Sequence, residues 1–248
     1  MLIAQISDTH ILAESSDRPE AGSRAEDLQR CVADICHLDR QPDVIIHTGD
    51  TVQTGAPEDY AHLKKLLAPL KPPIYATPGN RDHRDQFRVT FDREDGPFMH
   101  HVFEDHPIRL IALDSIEPPQ NKGAFCTDRV RWLDETLSAA PDRPTLLFMH
   151  HPPFDMEPDY LRGYLNPADR DELAAVVSRH RQVRRMICGH CHWISRNDWA
   201  GTEVTTTTSV AQDVRKGLDE SRYGGTPIYQ LHTVGPDGTV TTETRYAA

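Results

Sequence analysis

Five short apolar runs, residues 2–6, 44–46, 74–76, 146–149 and 186–188, are rich in β-branched side chains and bounded by turn-forming or polar residues. Runs this short and this continuously apolar are the mark of strands buried on both faces. Between them the spacing becomes helical. Over residues 23–39 the apolar positions Leu28, Val32, Ile35 and Leu38 recur every three or four residues and Pro42 follows, which predicts strand, helix, strand. The alternation continues with a helix over 57–70, a strand over 73–77 and a shorter helix over 82–91. Residues 99–104 and 108–113 predict a hairpin turning at Asp105, His106 and Pro107. Residues 127–139 predict a helix with Thr127 as N-cap, residues 145–149 a strand, and Asn166 the cap of a helix running from Pro167 to about Arg181. After a strand over 183–188 the pattern changes. Residues 193–199 read as strand, and 202–210, 226–234 and 239–245 alternate Thr and Val around the turn Gly235-Pro236-Asp237-Gly238, so the C-terminal part is expected to be antiparallel.

Alternating strands and helices followed by antiparallel strands predict an α/β fold with two sheets packed face to face and helices outside. A length of 248 residues suits one sizeable domain, with residues 200–248 completing the second sheet or serving oligomerisation. The net charge of −11 argues against a surface that wraps a nucleic acid polymer, because phosphate backbones demand clustered Lys and Arg. The first residues read as strand, with no basic stretch and no long apolar segment, so neither a signal peptide nor a membrane span is expected and the cytoplasm is the expected location.

The chemistry gathers where the apolar runs end: Asp8 and His10, Asp50, Asn80, His150, and His190 with His192. Parallel strands deliver side chains to one edge of a sheet, where loops vary above a rigid base. Each piece alone has an ordinary explanation: Asp8-Thr9-His10 a surface turn, Asp50 a helix cap, Asn80 a turn residue. Together, in order and each at a predicted strand end, they form a nitrogen- and oxygen-donor set suited to divalent metals.

The motifs D-x-H, G-D, G-N-x-D, H-H-P-P and G-H-x-H, spanning Asp8 to His192, resemble the calcineurin-like metallophosphoesterase superfamily. The opening Ile6-Ser7-Asp8-Thr9-His10 and the H-H-P-P segment resemble its bacterial class III cyclic nucleotide phosphodiesterases and glycerophosphodiesterases. The resemblance implies a four-layer αββα sandwich of two mixed sheets flanked by helices, carrying two divalent or mixed-valence metal ions (Fe, Mn, Zn or Co). It assigns Asp8, His10, Asp50 and His192 to one ion and Asp50, Asn80, His150 and His190 to the other, with Asp50 bridging. His151 is left to orient loops or contact substrate. The implied reaction is hydrolysis of a small phosphodiester, a 3',5'-cyclic nucleotide or a glycerophosphodiester, by metal-activated hydroxide. Alternatives are a phosphomonoesterase or nucleotide pyrophosphohydrolase on the same site, or a non-catalytic metal-binding scaffold. A homo-oligomer is a further possibility that the family raises.

One position departs from the family pattern. Arg81 follows the ligand Asn80 where His is usual, and a guanidinium cannot give up a proton at usable pH but can hold phosphate oxygens. Arg81 is expected to grip substrate with Asn80, leaving His83 or solvent to protonate the departing alkoxide. Cys188-Gly189-His190-Cys191 has the spacing of a redox pair, yet such a pair should open a helix, and strand follows here. The loop over 153–167, with Tyr160 and Tyr164, and the segment 212–223, with Arg215, Lys216 and Arg222, either shape the pocket or are solvated and oligomer-contacting loops.

Overall fold

A computed structural model describes residues 1–94, 96–155, 164–217 and 225–247. The first sheet holds β1 (Leu2–Ile6), β2 (Val44–His47), β3 (Ile74–Ala76), β10 (Ile228–Val234) and β11 (Val240–Tyr246) in the order β11-β10-β1-β2-β3. The second holds β4 (His101–Phe103), β5 (Arg109–Leu113), β6 (Thr145–Met149), β7 (Val183–Cys188), β8 (Ser195–Trp199) and β9 (Thr202–Thr206) in the order β4-β5-β6-β7-β9-β8. β1, β2 and β3 run parallel, as do β5, β6, β7 and β9. The helices are α1 (Glu20–Cys36), α2 (Pro57–Leu67), α3 (Arg84–Phe91), α4 (Thr127–Ser138) and α5 (Pro167–Arg179). None of them is long and apolar enough to cross a membrane.

The period-two pleat explains why the strand sequences are apolar throughout. Ile3, Val44 and Ile46 of the first sheet meet Leu110, Leu146, Phe148 and Ile187 of the second in one buried cluster between the sheets. The alternate residues Ala4, Ile6 and Ile45 turn outward to pack with Leu28, Ile35 and Leu63 of α1 and α2. In the second sheet Ile111, Leu147 and Met186 turn toward Leu133, Leu137 and Leu173 of α4 and α5. The result is the expected four-layer αββα sandwich of two mixed sheets flanked by helices. Each buried Leu, Ile or Phe stabilises it by roughly 1.5–3 kcal/mol.

Several boundaries differ from the sequence expectation. α1 begins at Glu20, directly after Pro19, rather than at Ser23. Thr127 is the first residue of α4 and Cys126 occupies the cap position without a side-chain bond. Asn166 does cap α5, accepting from the Ala168 amide at 3.2 Å. The C-terminal strands are not uniformly antiparallel and do not all complete the second sheet. β9 joins it parallel to β7, while β10 and β11 lie antiparallel to β1 and to each other in the first sheet. The physical reason is the β8–β9 hairpin. It folds back so that β9 lies between β7 and β8 and β8 takes the edge of the second sheet, and the next strand, β10, pairs with the free edge of β1 in the first sheet.

Candidate metal centre

The chain turns sharply after each ligand-bearing strand. Asp8, His10, Asp50, His190 and His192 have φ of 52°, 46°, 48°, 68° and 53°. Among the described non-glycine residues only Asp92 and Ala200 share this left-handed backbone. Such conformations cost free energy and persist where surrounding structure enforces them, commonly at functional sites. Gly49, at φ 92°, allows the β2 turn to approach closely, since a Cβ there would come 2.6 Å from His150 Nδ1.

The turns bring all seven predicted donors together as two adjoining groups. In one, the donor atoms of Asp8, His10, Asp50 and His192 lie within 4.8 Å of one another. His192 Nε2 is 3.2 Å from Asp8 Oδ1 and 3.2 Å from His10 Nε2. In the other, Asn80 Oδ1 is 3.2 Å from His150 Nε2 and 3.1 Å from His190 Nδ1, and the two ring nitrogens are 3.2 Å apart. Asp50 stands between the groups, with Oδ2 3.8 Å from His10 Nε2 and Oδ1 3.6 Å from His150 Nε2.

Hydrogen bonds behind the rings fix which atoms carry lone pairs. His150 Nδ1 faces the Thr48 carbonyl at 2.8 Å and His192 Nδ1 faces the Val214 carbonyl at 2.8 Å. A carbonyl only accepts, so both Nδ1 atoms carry the proton and, in the neutral rings, both Nε2 atoms present lone pairs inward. His150 Nε2 and Asn80 Oδ1 are then two acceptors facing each other, a repulsive contact unless a cation sits between them. Asp8 Oδ1 and His10 Nδ1 are buried with no hydrogen-bond partner among the described residues. This donor set fits divalent cations.

Burial pushes His10 down to about 3 and holds His150 and His190 below the ordinary imidazole value, keeping their rings neutral. Burial would raise the Asp8 carboxyl, but His192, beside it at 3.2 Å, outweighs it and lowers Asp8 overall. Burial also lowers His192, yet Asp8 beside it raises the ring overall. Asp50 is pushed well above the carboxylate range by burial and then by Asp8 and Asp82. Close carboxylates with opposed shifts are characteristic of functional sites.

Other predicted residues fall out differently. Arg81 gives its backbone amide to Asp50 Oδ1 at 2.8 Å, and its exposed guanidinium makes no hydrogen bond or ion pair among the described residues. His83 is exposed at the head of α3, its amide donating to the Tyr60 hydroxyl at 2.9 Å. His151 is fully buried, with Nδ1 2.9 Å from Ser115 Oγ and Nε2 3.2 Å from the Asn121 carbonyl. Both its nitrogens are engaged, and its ring stands beside the second donor group, with ligand-type atoms of His150, His151 and His190 within 4.8 Å of one another. Tyr164 is also buried, its hydroxyl 3.5 Å from the His151 carbonyl, and so belongs to the core rather than the pocket. Tyr160 and Arg222 lie outside the described residues. The segment before Arg222 borders the centre: Val214 holds His192, and the Lys216 amide donates to the His192 carbonyl at 2.9 Å. Cys188 and Cys191 are buried free thiols, raised by burial, Cys191 to about 12, and β8 rather than a helix follows them. They lack the accessible, electropositive setting of a redox pair.

Two supports lie behind the ligands: Arg24, which no motif announces, and Asp82, the last residue of the G-N-x-D motif. Buried Arg24 of α1 donates to the His10 carbonyl at 3.3 Å and to Gln53 at 2.8 Å and pairs with Asp213 at 2.6 Å, bracing His10 and the turn Gln212–Val214 together. Asp82 accepts from the amides of Gly79 and Thr51 at 2.8 and 3.2 Å and from the Tyr60 hydroxyl at 3.0 Å, tying the Asn80 turn to the Asp50 turn.

A family model described as calcineurin-like phosphoesterase matches residues 1–193. A probable glycerophosphodiester phosphodiesterase of Arcobacter nitrofigilis is 32% identical over 254 residues, covering 99% of this chain and 93% of its own length. The 3',5'-cyclic adenosine monophosphate phosphodiesterase of Escherichia coli K12 is 26% identical over 245 residues, covering 97% and 88%. A solved dimetal phosphatase from Danio rerio shares the fold, with a TM-score of 0.75 at 14% identity over 100% of this chain and 96% of its own. On the matched motifs and the extent of these likenesses, the chain belongs to the calcineurin-like phosphoesterase family.

Proposed function

We propose that this protein is a two-metal phosphodiesterase acting on small phosphodiesters, a 3',5'-cyclic nucleotide or a glycerophosphodiester. The observation that carries the proposal is the pair of lone-pair clusters meeting at Asp50: Asp8, His10, Asp50 and His192 on one side, and Asp50, Asn80, His150 and His190 on the other. The names of the relatives, a probable glycerophosphodiester phosphodiesterase and a cyclic adenosine monophosphate phosphodiesterase, support the same reaction class. Two divalent ions held there would acidify water and neutralise phosphoryl charge.

The chain's own residues do the rest. Asp50 is common to both clusters. Asn80 offers a neutral carbonyl oxygen, with its Nδ2 turned away toward Asn121 Oδ1 at 3.4 Å. The guanidinium of Arg81 lies one residue beyond and grips the non-bridging phosphoryl oxygens, stabilising charge as it builds in the transition state. Arg81 carries no transferable proton, so His83 or solvent protonates the leaving alcohol.

The test measures the metal content of the purified protein beside hydrolysis of bis(p-nitrophenyl) phosphate and p-nitrophenyl phosphate, for wild type and Asp50→Ala. About two ions per chain, with diester turnover exceeding monoester turnover and lost in the variant, is the expected result. Two ions with monoester preference would make the protein a phosphatase. No metal and no turnover after reconstitution with Mn, Zn, Fe or Co would leave a scaffold.

A further inference from the structure

The inner face of β1 is apolar at Ile3 and polar at Gln5, which is 0% exposed. A fully buried amide must satisfy both ends. Gln5 Nε2 lies 3.1 Å from the Cys188 carbonyl on the opposite sheet and 3.0 Å from Thr48 Oγ1. Because a carbonyl cannot donate, the group facing Cys188 is the NH2, and its other proton goes to Thr48. Thr48 then passes its single hydroxyl proton to Ser7 Oγ at 2.7 Å, and Ser7 donates to Asp8 Oδ2.

The other end of the amide is equally determined. Gln5 Oε1 accepts from His232 Nε2 of β10 at 2.9 Å, which fixes the Nε2–H tautomer, and His232 Nδ1 accepts from Thr242 Oγ1 of β11 at 2.9 Å. Every donor from Thr242 through His232, Gln5, Thr48 and Ser7 therefore points toward the Asp8 carboxylate, an alignment in which successive bonds polarise one another. At the carboxylate, Oδ2 is occupied by Ser7 and by the His190 amide at 3.2 Å. Oδ1, buried and without a hydrogen bond among the described residues, is left facing His192. Gly189 permits this closeness, since a Cβ there would overlap Ser7 Oγ.

We infer that Gln5, Thr48 and Ser7, anchored by His232, are positioning residues that hold Asp8 with Oδ1 alone turned to the cation subsite it shares with His10, Asp50 and His192. The inference rests on the two-metal reading. It also gives β10 and β11, which follow the region matched by the family model, a part in the centre.

Thr48 supplies a clean test, because its backbone carbonyl serves His150 while only its hydroxyl serves Asp8. Metal-stripped wild type, Thr48→Val, Thr48→Ser, Ser7→Ala and His232→Phe are titrated calorimetrically with Mn2+, with circular dichroism to confirm folding. Wild type is expected to bind two ions. Thr48→Val should weaken one of them about 10-fold and spare the other, and Thr48→Ser should restore it, in line with losses seen when outer partners of metal ligands are removed. Ser7→Ala carries the same expectation and decides the matter where the valine variant does not fold. His232→Phe should weaken the same ion by a smaller factor. Wild-type affinity for both ions in Thr48→Val and Ser7→Ala, or equal weakening of both ions in the valine and serine variants, would overturn the relay. Unchanged binding in His232→Phe would remove its anchor, and no Mn2+ binding by wild type would overturn the two-metal reading itself.

Discussion

Arg81 divides its work between backbone and side chain. The amide is spent on Asp50 Oδ1, so any substitution other than proline keeps that bond, whereas the guanidinium is exposed and is the part a substrate would meet. Arg81→Ala should therefore retain about two ions per chain and lose roughly 100-fold in kcat/KM for a diester, the scale of removing one preorganised charge-stabilising donor. Arg81→His should recover part of that loss and add an ionisation between about pH 6 and 7 to the rate profile, because imidazole titrates there and guanidinium does not. A histidine variant with wild-type rate and an unaltered profile would exclude Arg81 from the mechanism. Asn80 makes a complementary prediction. Of the two donor groups its Oδ1 meets only that of His150 and His190, so Asn80→Ala should bind one ion in place of two, read directly by elemental analysis. Retention of both ions would take Asn80 out of the ligand set.

At the scale of elements, what was legible in the sequence is what depends on local pattern. Runs 2–6, 44–46 and 146–149 are apolar on both faces because both faces are covered, and a parallel strand must release its chain at one edge, so the sequence alone places Asp8, Asp50 and His150 together. What was illegible depends on partners distant in sequence. Gln5 is one polar residue in an apolar run, and only the opposing Cys188 carbonyl and His232 give it meaning. Arg24 is one of many charges on a helix until Asp213 arrives from 189 residues away. The direction of β9 likewise follows from β7, not from its own Thr-rich sequence. The β8–β9 turn also lacks a familiar signal: Ala200 and Gly201 both have positive φ, 51° and 79°, the geometry that favours Asn-Gly. Ala200 is strained there, since a left-handed alanine costs about 1 kcal/mol. Ala200→Gly should raise the urea stability by about that amount with hydrolysis unchanged, and a destabilised variant would mean that the turn gains more from the methyl group than the backbone loses.

For the whole molecule, the response to acid is set in part by imidazoles sealed away from water. His232 lies between the sheets, bonded to Gln5 and Thr242, and burial, reinforced by the cation of Arg185, pushes it down to about 3. Above its ordinary value of about 6.5 the ring is neutral whether the chain is folded or not, and it adds nothing to the pH dependence. Below that value the unfolded chain takes up a proton that the folded protein refuses, so acid favours the unfolded state. Stability then falls as pH falls, and it continues to fall until the folded ring itself titrates near 3. One such group contributes a slope of about 1.4 kcal/mol per pH unit. A buried carboxylate whose value is raised acts in the opposite sense: Asp82, raised by burial to about 6, keeps its proton longer in the folded state. The total curve therefore mixes signs, and a difference between two proteins isolates the ring. Urea unfolding of metal-stripped wild type and His232→Gln at pH 7, 6, 5 and 4 should give curves that run together above about pH 6.5 and diverge below it. The wild type should lose about 1.4 kcal/mol more per unit than the glutamine variant. Curves that stay parallel from pH 7 to pH 4 would mean that His232 accepts its proton inside the fold, and that the space between the sheets admits charge and water at the foot of the candidate metal centre.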